Sequence, residues 1–225
     1  MPPVPDGVAL QGRYARLERL DADAHAARLY TAFEGHDWVW DYLPVGPFAS
    51  SAQFHRWMRE ATARDDILFY AITDLASDDP GGFASFLRMK PASGSIEVGF
   101  IAMAPHVQRS CVATEAMFLM MQWAFEAGYR RYEWKCDALN IPSRRAAQRL
   151  GLSYEGIFRQ AAVVKGRNRD TAWFAAIDAE WPALKQAYQR WLAPSNFNAD
   201  GRQKERLSDL TALVRASEDP ALDRA

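Results

Sequence analysis

The sequence predicts an α+β domain with a mostly antiparallel central sheet flanked by helices. Three observations lead to this fold class. Segments with the period of a strand alternate with segments of helical period between residues 8 and 193. Most successive strands are joined by short turns, which favours antiparallel pairing. Finally, 49% of the 225 residues are hydrophobic and 24% are charged, which is typical of a globular protein with one sizeable core.

The first part of the chain, up to residue 103, is predicted to contain strands and two helices. Asp21 or Asp23 caps the first helix, and Ser50 or Ser51 caps the second. Turns that contain proline and glycine separate the later strands. The predicted elements are strand 10–20, a helix ending near Phe33, a helix ending near Arg64, and strands 67–73, 83–89 and 95–103.

The second part, from residue 112 onward, alternates helices with strands. Gly128 follows the apolar stripe of a long helix and is expected just beyond its C-terminal end. Pro182 is tolerated in the first turn of the last helix of the domain. The predicted elements are helix 112–127, strand 132–136, helix 140–150, strands 152–158 and 171–177, and helix 181–191.

The final stretch, residues 194–225, differs in composition from the domain predicted over residues 8–193. It begins as a polar, linker-like sequence and continues with one short apolar stripe. The residues of that stripe are Leu207, Leu210, Leu213 and Val214. Two interpretations stay open: the tail is a helix that lies on the domain, or it is an arm that reaches the partner subunit of a homodimer.

A strand, a tight turn and a helix follow one another between residues 97 and 127, and together they predict an anion site. Pro105 ends the strand because it has no backbone N–H group. The helix begins near Val112, and Glu115 lies in its first turn, where a carboxylate interacts favourably with the helix dipole. Free N–H groups at a helix start bind phosphate. An ordinary strand-loop-helix unit is the alternative.

The residues of this turn resemble the acyl-CoA pyrophosphate loop of the GNAT superfamily of N-acetyltransferases. The family pattern is Gln/Arg-x-x-Gly-x-Gly/Ala, and Gln108, Cys111 and Ala113 occupy its defined positions. Cys111 departs from the pattern, since the family usually has glycine there. The resemblance implies the GNAT fold and acetyl-CoA as co-substrate. The cofactor-binding residues that it implies in the loop are Gln108, Arg109, Ser110, Cys111, Val112 and Ala113.

A second motif begins at Asn140 and Ser143 and continues to the pair Glu155-Gly156. It resembles the RimJ/RimL-like branch of the GNAT family. The resemblance implies that Asn140 contacts the pantetheine arm or orders the helix start, and that Ser143 lies near the thioester sulfur. Helix capping is the alternative role for both residues. Arg144 and Arg145 are further candidates for the cofactor phosphates, because arginine binds phosphate with two parallel hydrogen bonds. Solvated arginines on the helix surface are the alternative.

The segment after Glu155-Gly156 departs from the pattern of the ribosomal enzymes. These have an acidic residue there, whereas this chain has Gln160, Ala161 and Ala162. The departure argues against a ribosomal protein as the substrate. An acetyltransferase for protein N-termini nevertheless remains an alternative.

Acetyl transfer to an amine requires three groups. The amine must lose a proton, the thioester carbonyl must be polarised, and the departing thiolate must be stabilised. Glu97, on the strand that leads into the loop, is the predicted base, and an ion-paired strand carboxylate is the alternative. Ser143 is the predicted hydrogen-bond donor to the thiolate. We expect direct attack in a ternary complex, without an acyl-enzyme.

The aromatic segment, residues 36–48, is the predicted acceptor site. It contains three aromatic side chains that are candidates for substrate binding. These are Trp38, Trp40 and Tyr42. Asp37 and Asp41 lie among them, and both aromatic faces and carboxylates attract an ammonium group. The segment therefore predicts a small cationic or zwitterionic amine as the acceptor. Alternatively, its aromatic residues only complete the core.

The charge and hydropathy of the sequence limit the classes of partner and the location that we expect for the protein. A formal net charge of −1 gives no reason to expect nucleic acid. No apolar run reaches the length of a membrane span, and the first residues do not resemble a signal peptide, so we expect a cytoplasmic protein. The cysteines and histidines have no metal-ligand spacing, so no metal is expected. A non-catalytic acyl-CoA-binding module and a nucleic-acid-binding protein are the rival functions.

Overall fold

The computed structural model describes residues 1–222 and forms two compact units, Met1–Trp123 and the residues from Ala124 onward. The elements of the first unit are β1 (Leu10–Gln11), β2 (Ala15–Arg19), α1 (Ala22–Phe33), a 3₁₀ helix (Asp37–Trp40), α2 (Ser51–Thr62), β3 (Ile67–Asp74), β4 (Asp79–Lys90), β5 (Ser95–Met103) and α3 (Cys111–Glu126). The C-terminal end of α3 belongs to the second unit.

The strands of the first unit pair antiparallel in the order β1-β2-β3-β4-β5. Leu87 of β4 lies opposite both Ile67 of β3 and Glu97 of β5, so these three side chains point to one face of the sheet. Helices α1 and α2 cover that face, because Leu29 and Phe54 pack in one cluster with Ile67 and Leu87. The predicted base therefore lies on the side of the sheet that α1 and α2 cover.

Helix α3 packs against the opposite face of the same sheet. Phe86 is the neighbour of Leu87 along β4, so its side chain points the other way. Its ring contacts Trp123 of α3, with the ring centroids 5.3 Å apart, and Tyr70 of β3 at 6.0 Å. The first unit is thus a sheet between two layers of helices.

Aromatic rings fill the core between the sheet and the helices α1 and α2. Phe83 of β4 is fully buried, and its ring centroid lies 6.1 Å from that of Phe33 in α1 and 5.5 Å from that of Trp57 in α2. Such pairs contribute roughly 0.5–1.5 kcal/mol beyond the burial of their area. This packing fixes both helices and the segment between them on the sheet.

Glu115, in the first turn of α3, joins that helix to the β1–β2 hairpin. Its buried carboxylate accepts hydrogen bonds from the backbone N–H groups of Arg13 (2.9 Å), Tyr14 (2.5 Å) and Ala15 (2.7 Å). A Cβ atom at Gly12 would lie 2.3 Å from the carboxylate carbon, so the hairpin needs glycine there. These bonds fix the start of α3 at the edge of the sheet.

The second unit has its own antiparallel strands and helices. Its elements are β6 (Arg131–Asp137), α4 (Ile141–Arg149), β7 (Ser153–Val164), β8 (Arg167–Ile177), α5 (Trp181–Leu192) and α6 (Leu207–Ala212). The strands pair in the order β6-β8-β7. Tyr188 of α5 donates a hydrogen bond to the carbonyl oxygen of Leu150 at 2.8 Å and so ties α5 to the end of α4. The predicted α+β class, with mostly antiparallel strands and flanking helices, is confirmed.

The C-terminal tail folds back onto the second unit. Asn196 is buried and donates a hydrogen bond to the carbonyl oxygen of Trp191 (3.1 Å), and Thr211 of α6 donates one to that of Arg149 (3.0 Å). The boundary predicted after residue 193 stays a prediction, and the two compact units divide after Trp123. Residues 223–225 of the predicted tail lie outside the described residues.

The last two strands are longer than predicted. The sequence suggested an end at Phe158 and a new strand at Thr171, but pairing continues as far as Val164 opposite Arg167. Strand β6 pairs with β8 only from Thr171 onward. Residues 158–170 therefore form a two-stranded ribbon with both faces largely exposed. Without a buried face, the ribbon lacks the apolar alternation that marks a strand.

Two further differences arise at turns. The strand predicted over residues 10–20 is a hairpin, because Gly12 and Arg13 turn the chain between β1 and β2. Strand β4 begins at Asp79, inside the predicted Pro-Gly turn. Pro80 is tolerated there because it lies at a shift in the register between β3 and β4.

Replacing Glu115 with glutamine is expected to destabilise the protein by roughly 3 kcal/mol. Hydrogen bonds to a charged acceptor contribute about 1.5–3 kcal/mol each, and the new NH₂ group would face N–H donors. Urea unfolding measures the change. As a control, Glu126→Gln at the exposed end of α3 removes an ion pair with Lys185 (2.7 Å) and should cost less than about 1 kcal/mol. Equal losses in the two variants would contradict the role of Glu115.

Candidate active site

A bulge in β5 precedes the loop that the sequence singled out. Ser85 of β4 pairs with Gly99, whereas Phe83 pairs with Ala102, so β5 has one residue more than β4 between these pairs. Phe100, inside the bulge, has a φ of +48°, which few residues other than glycine adopt. The extra residue stays outside the hydrogen-bond ladder and bends the strand.

The loop from Ala104 to Ser110 connects this strand to α3. Gln108 donates a hydrogen bond from Nε2 to the carbonyl oxygen of Met103 (2.9 Å) and closes the loop onto the end of the strand. Ser110 caps α3, because its Oγ accepts a hydrogen bond from the N–H group of Ala113 (3.2 Å). The side chains of Gln108 and Ser110 therefore shape the turn.

The start of α3 has the properties of an anion site. Within residues 1–222, the backbone N–H groups of Arg109 and Val112 have no hydrogen-bond partner. Arg109 is exposed and has a φ of +59°, so the chain turns sharply before the helix. Cys111 and Ala113 are partly exposed and small. The helix dipole adds partial positive charge at the same place.

Glu97 is a carboxylate on β5 that is only 5% exposed. Its Oε2 lies 3.6 Å from Nη1 of Arg88 on the neighbouring strand. Arg88 has a φ of +47° and lies where the β4–β5 register shifts, and its side chain is half exposed. Glu97 is thus ion-paired, which is the alternative role that the sequence analysis gave it. Its role as base stays a prediction.

The aromatic segment divides into buried and exposed residues. Trp40 is 3% exposed, and its ring packs edge-to-face on Phe33 with a centroid distance of 5.0 Å, so it completes the core. Trp38 and Tyr42 are 54% and 38% exposed. The difference between Trp38 and Trp40 follows from the 3₁₀ helix, in which residues two positions apart point to different sides. Substrate contacts by these residues stay a prediction.

A small cavity of about 60 Å³ borders this segment. Aromatic rings, including those of Phe33 and Trp40, form one part of its wall, and Glu34 and Asp37 bring two carboxylates. The 3₁₀ helix that borders the cavity also contacts β5, the strand of Glu97. The cavity therefore combines aromatic faces with negative charge.

The second unit contains Asn140 and Ser143. Asn140 caps α4, because its Oδ1 accepts a hydrogen bond from the N–H group of Ser143 (3.1 Å). The Oγ atom of Ser143 accepts a hydrogen bond from Nε1 of Trp134 on β6 (3.0 Å). This bond uses one lone pair of the hydroxyl group, and Ser143 also forms a hydrogen bond with the thiol of Cys136.

Cys136, two residues after Trp134 on β6, is not a suitable nucleophile. Burial raises the pKa of its thiol to about 11, although a hydrogen bond with Ser143 acts in the opposite direction. The thiol is therefore protonated at neutral pH, and the thiolate is the reactive form.

The two arginines after Ser143 differ in accessibility. Arg144 is 4% exposed and binds Asp219 of the tail, so it is not available to a cofactor phosphate. Arg145 is exposed, as a phosphate contact requires. Of the predicted site residues, Glu97, the loop and the aromatic segment belong to the first unit, whereas Asn140, Ser143 and Arg145 belong to the second.

Three residues at these places were not identified from the sequence. Arg88 approaches Glu97 only because of an irregular backbone, which no local pattern indicates. Trp134 approaches Ser143 through the turn between β6 and α4, and on β6 it looks like an ordinary core residue. Glu34 follows the end of α1 and lies just before the aromatic segment in the sequence. This closeness could have identified it as a candidate.

Two other kinds of feature are absent from residues 1–222. No helix there is both long and apolar enough to cross a bilayer. The same residues contain no group of three or more His, Cys, Asp and Glu side chains arranged to hold a metal ion. The absence of a metal requirement stays a prediction.

A family model and several solved structures match this chain. A family model described as an acetyltransferase (GNAT) domain matches residues 15–153. A GCN5-related N-acetyltransferase from Brucella melitensis is 48% identical, and the match covers 94% of this chain and 97% of that chain with a TM-score of 0.91. A probable GNAT-family acetyltransferase from Chromobacterium violaceum is 42% identical over 81% of this chain and 92% of that chain, with a TM-score of 0.77.

Two other similarities are weaker. An uncharacterised N-acetyltransferase from Bacillus subtilis is 28% identical over 86 residues, or 38% of this chain, and the match spans 50% of that curated relative. An acetyltransferase from Salmonella typhimurium that modifies the N-terminal serine of ribosomal protein L7/L12 is 20% identical over 74% of this chain and 96% of that chain, with a TM-score of 0.63. The latter similarity shows a shared fold and no more.

Proposed function

This chain belongs to the GNAT acetyltransferase family, and we propose that it transfers the acetyl group of acetyl-CoA to a primary amine, with a small cationic amine as acceptor. The observation that carries the proposal is the start of α3. There, after a bulged strand, the N–H groups of Arg109 and Val112 have no partner within residues 1–222. A non-catalytic acyl-CoA-binding module would bind in the same way but would not release the thiol.

The pyrophosphate of acetyl-CoA suits this helix start. The N–H groups of Arg109 and Val112 donate to phosphate oxygens, and the helix dipole favours the negative charge. The guanidinium group of Arg109 offers a second, bidentate contact. Ala113 has too small a side chain to obstruct the approach. Acetyl-CoA supplies the activated acetyl group, and these residues orient it.

Glu97 is the proposed proton acceptor. The amine nitrogen must be neutral when it attacks the thioester carbonyl carbon, so a carboxylate takes its proton directly or through one water molecule. The proposal requires the ionised form of Glu97, which is the form that accepts a proton, and Nη1 of Arg88 lies 3.6 Å from its Oε2. The N–C bond forms and the C–S bond breaks. One proton of the ammonium group passes to Glu97 and then to solvent, and a second proton, lost from the nitrogen as the amide forms, ends on the departing sulfur.

Ser143 is the proposed hydrogen-bond donor to the departing thiolate. The indole N–H group of Trp134 donates to Ser143 Oγ (3.0 Å), so the hydroxyl proton points to another acceptor. Donation to the thiolate would replace the hydrogen bond that Ser143 forms with Cys136. Hydrogen bonds to an ionised acceptor are about twice as strong as those between neutral groups. The bond to sulfur therefore strengthens as negative charge develops there.

A small cationic amine suits the cavity beside the 3₁₀ helix. Its volume of about 60 Å³ equals roughly two water molecules, which is enough for an ammonium group and the adjacent methylene. The carboxylates of Glu34 and Asp37 and the ring of Trp40 all attract a cation. The acceptor of the Salmonella relative, a protein N-terminus, is the alternative class. A homodimer in the cytoplasm remains our expectation for the assembly and location.

Acetyl-CoA is expected to raise the melting temperature of the wild type. A ligand at a hundred times its Kd stabilises the folded state by about 2.7 kcal/mol. Ala113→Trp should remove most of this shift, because the indole would obstruct the pyrophosphate. Ala52→Trp, at the exposed start of α2, is the matched control and should keep it. Absence of any shift in the wild type, or a full shift in Ala113→Trp, would be incompatible with this site.

Glu97→Gln is expected to lower kcat by about 10²- to 10⁴-fold, the usual contribution of a general base. The pH–rate profile should also lose its acidic limb, because the group that must be ionised is gone. Thiol release measured across pH tests both effects. Glu60→Gln, at an exposed position of α2, is the control. A variant profile that matches the wild type would assign proton transfer to water or to another group.

The acceptor class is tested by thiol release with amino acids, polyamines, aminoglycosides and N-terminal peptides. Small cations should be the best acceptors, and the double variant Glu34→Gln, Asp37→Asn should raise their KM without changing that of acetyl-CoA. Trp38→Ala should also raise the KM for small cationic amines. Trp40→Ala, in contrast, should destabilise the fold by about 3–5 kcal/mol. Turnover of peptides alone would exclude a small cationic amine as the acceptor.

A further inference from the structure

Helix α4 carries two of the proposed site residues and is short. It spans Ile141–Arg149, and Asn140 and Ser143 lie at its N-terminal end. Nine residues are too few for a stable helix in water, so its position depends on tertiary contacts. The contacts that hold it therefore also determine where Asn140 and Ser143 lie.

A buried ion pair attaches the first turn of α4 to the C-terminal tail. Arg144 Nε donates to Oδ2 of Asp219 (2.7 Å) and Nη2 donates to Oδ1 (2.6 Å), in a bidentate arrangement. The exposed fractions are 4% for Arg144 and 0% for Asp219. A third donor, Nη1, binds the carbonyl oxygen of Ala138 at 2.7 Å, in the turn between β6 and α4.

The tail also holds the other end of α4. Arg215 Nη1 donates to the carbonyl oxygen of Gln148 (3.1 Å), and the backbone N–H group of Asp219 donates to Oε1 of the same glutamine (2.8 Å). Thr211 binds the carbonyl oxygen of Arg149. The last carbonyl groups of a helix need such external partners. Both ends of the helix are thus bound by one segment of the tail.

We propose that the C-terminal tail is part of the catalytic apparatus and that Asp219 is a positioning residue, which acts through Arg144 on Ser143. Arg144 follows Ser143 directly in the chain, so a displacement of its guanidinium group moves the backbone of the residue that holds the thiolate. The same guanidinium group fixes Ala138, and with it the turn between Trp134 and Asn140. This inference rests on the function proposed above for Ser143.

Asp219→Asn keeps the shape of the side chain and removes its charge, and it is the principal test. We expect kcat to fall by roughly 10- to 100-fold, the range associated with misplacement of a reacting group by about 1 Å. The KM for acetyl-CoA should change less than kcat, because the pyrophosphate contacts of the loop are in the first unit and only those of Asn140 and Arg145 belong to α4. Asp200→Asn is the matched control, since that carboxylate of the tail is exposed and pairs with Arg202, which makes none of these contacts to α4.

A double-mutant comparison separates positioning from general destabilisation. In a Ser143→Ala background, Asp219→Asn should have almost no further effect on kcat, because the two changes remove the same interaction. Multiplicative losses in the double variant would overturn the proposal. If Asp219→Asn does not fold, Arg144→Lys keeps the charge, loses the bidentate geometry and takes its place in the same comparison.

A spectroscopic measurement does not depend on activity. The indole N–H resonance of Trp134, assigned by its absence in Trp134→Phe, reports the hydrogen bond to Ser143. Asp219→Asn should shift this resonance and Asp200→Asn should not. An unmoved resonance together with wild-type kcat would refute the role of the tail. A wild type without thiol release would refute the proposed function instead, and the resonance would still decide whether Asp219 positions Ser143.

Discussion

The carboxylate of Glu115 is the constraint on which the first unit depends. It accepts three backbone hydrogen bonds from the β1–β2 hairpin while lying in the first turn of α3. The N–H group of buried Ala15 would otherwise lack this partner, which is costly. The helix start and the loop before it are thereby fixed to the sheet. A preorganised helix start binds an anion without a further loss of conformational freedom.

The sequence revealed elements that have a buried face and missed those that lack one. Helices α1, α2 and α3 were predicted within a few residues because their apolar stripes and caps are local signals. The ribbon of β7 and β8 was missed because both of its faces are largely exposed. Glu115 was noted only for its place near the helix dipole. Its partners are about a hundred residues away in the chain, and no periodic pattern connects them.

The candidate site shows the same division between local and long-range information. Asn140 and Ser110 could be recognised as caps, because a cap acts on the residues that follow it. The pairing of Glu97 with Arg88 required a bulge, and the support of Ser143 by Trp134 required the fold of the second unit. Composition identified an aromatic segment, but only the structure separates buried Trp40 from exposed Trp38.

The ribbon at residues 158–170 has a consequence for solubility. It presents the free edge of β7 together with exposed Phe158 and Val163, a combination that promotes pairing between strands of different molecules. Four basic residues, Arg159, Lys165, Arg167 and Arg169, lie on the same ribbon beside a single acidic one, Asp170. The positive charges of two such ribbons repel each other, so they oppose aggregation through the free edge. Chemical modification that neutralises these side chains would remove that protection without touching either end of α4.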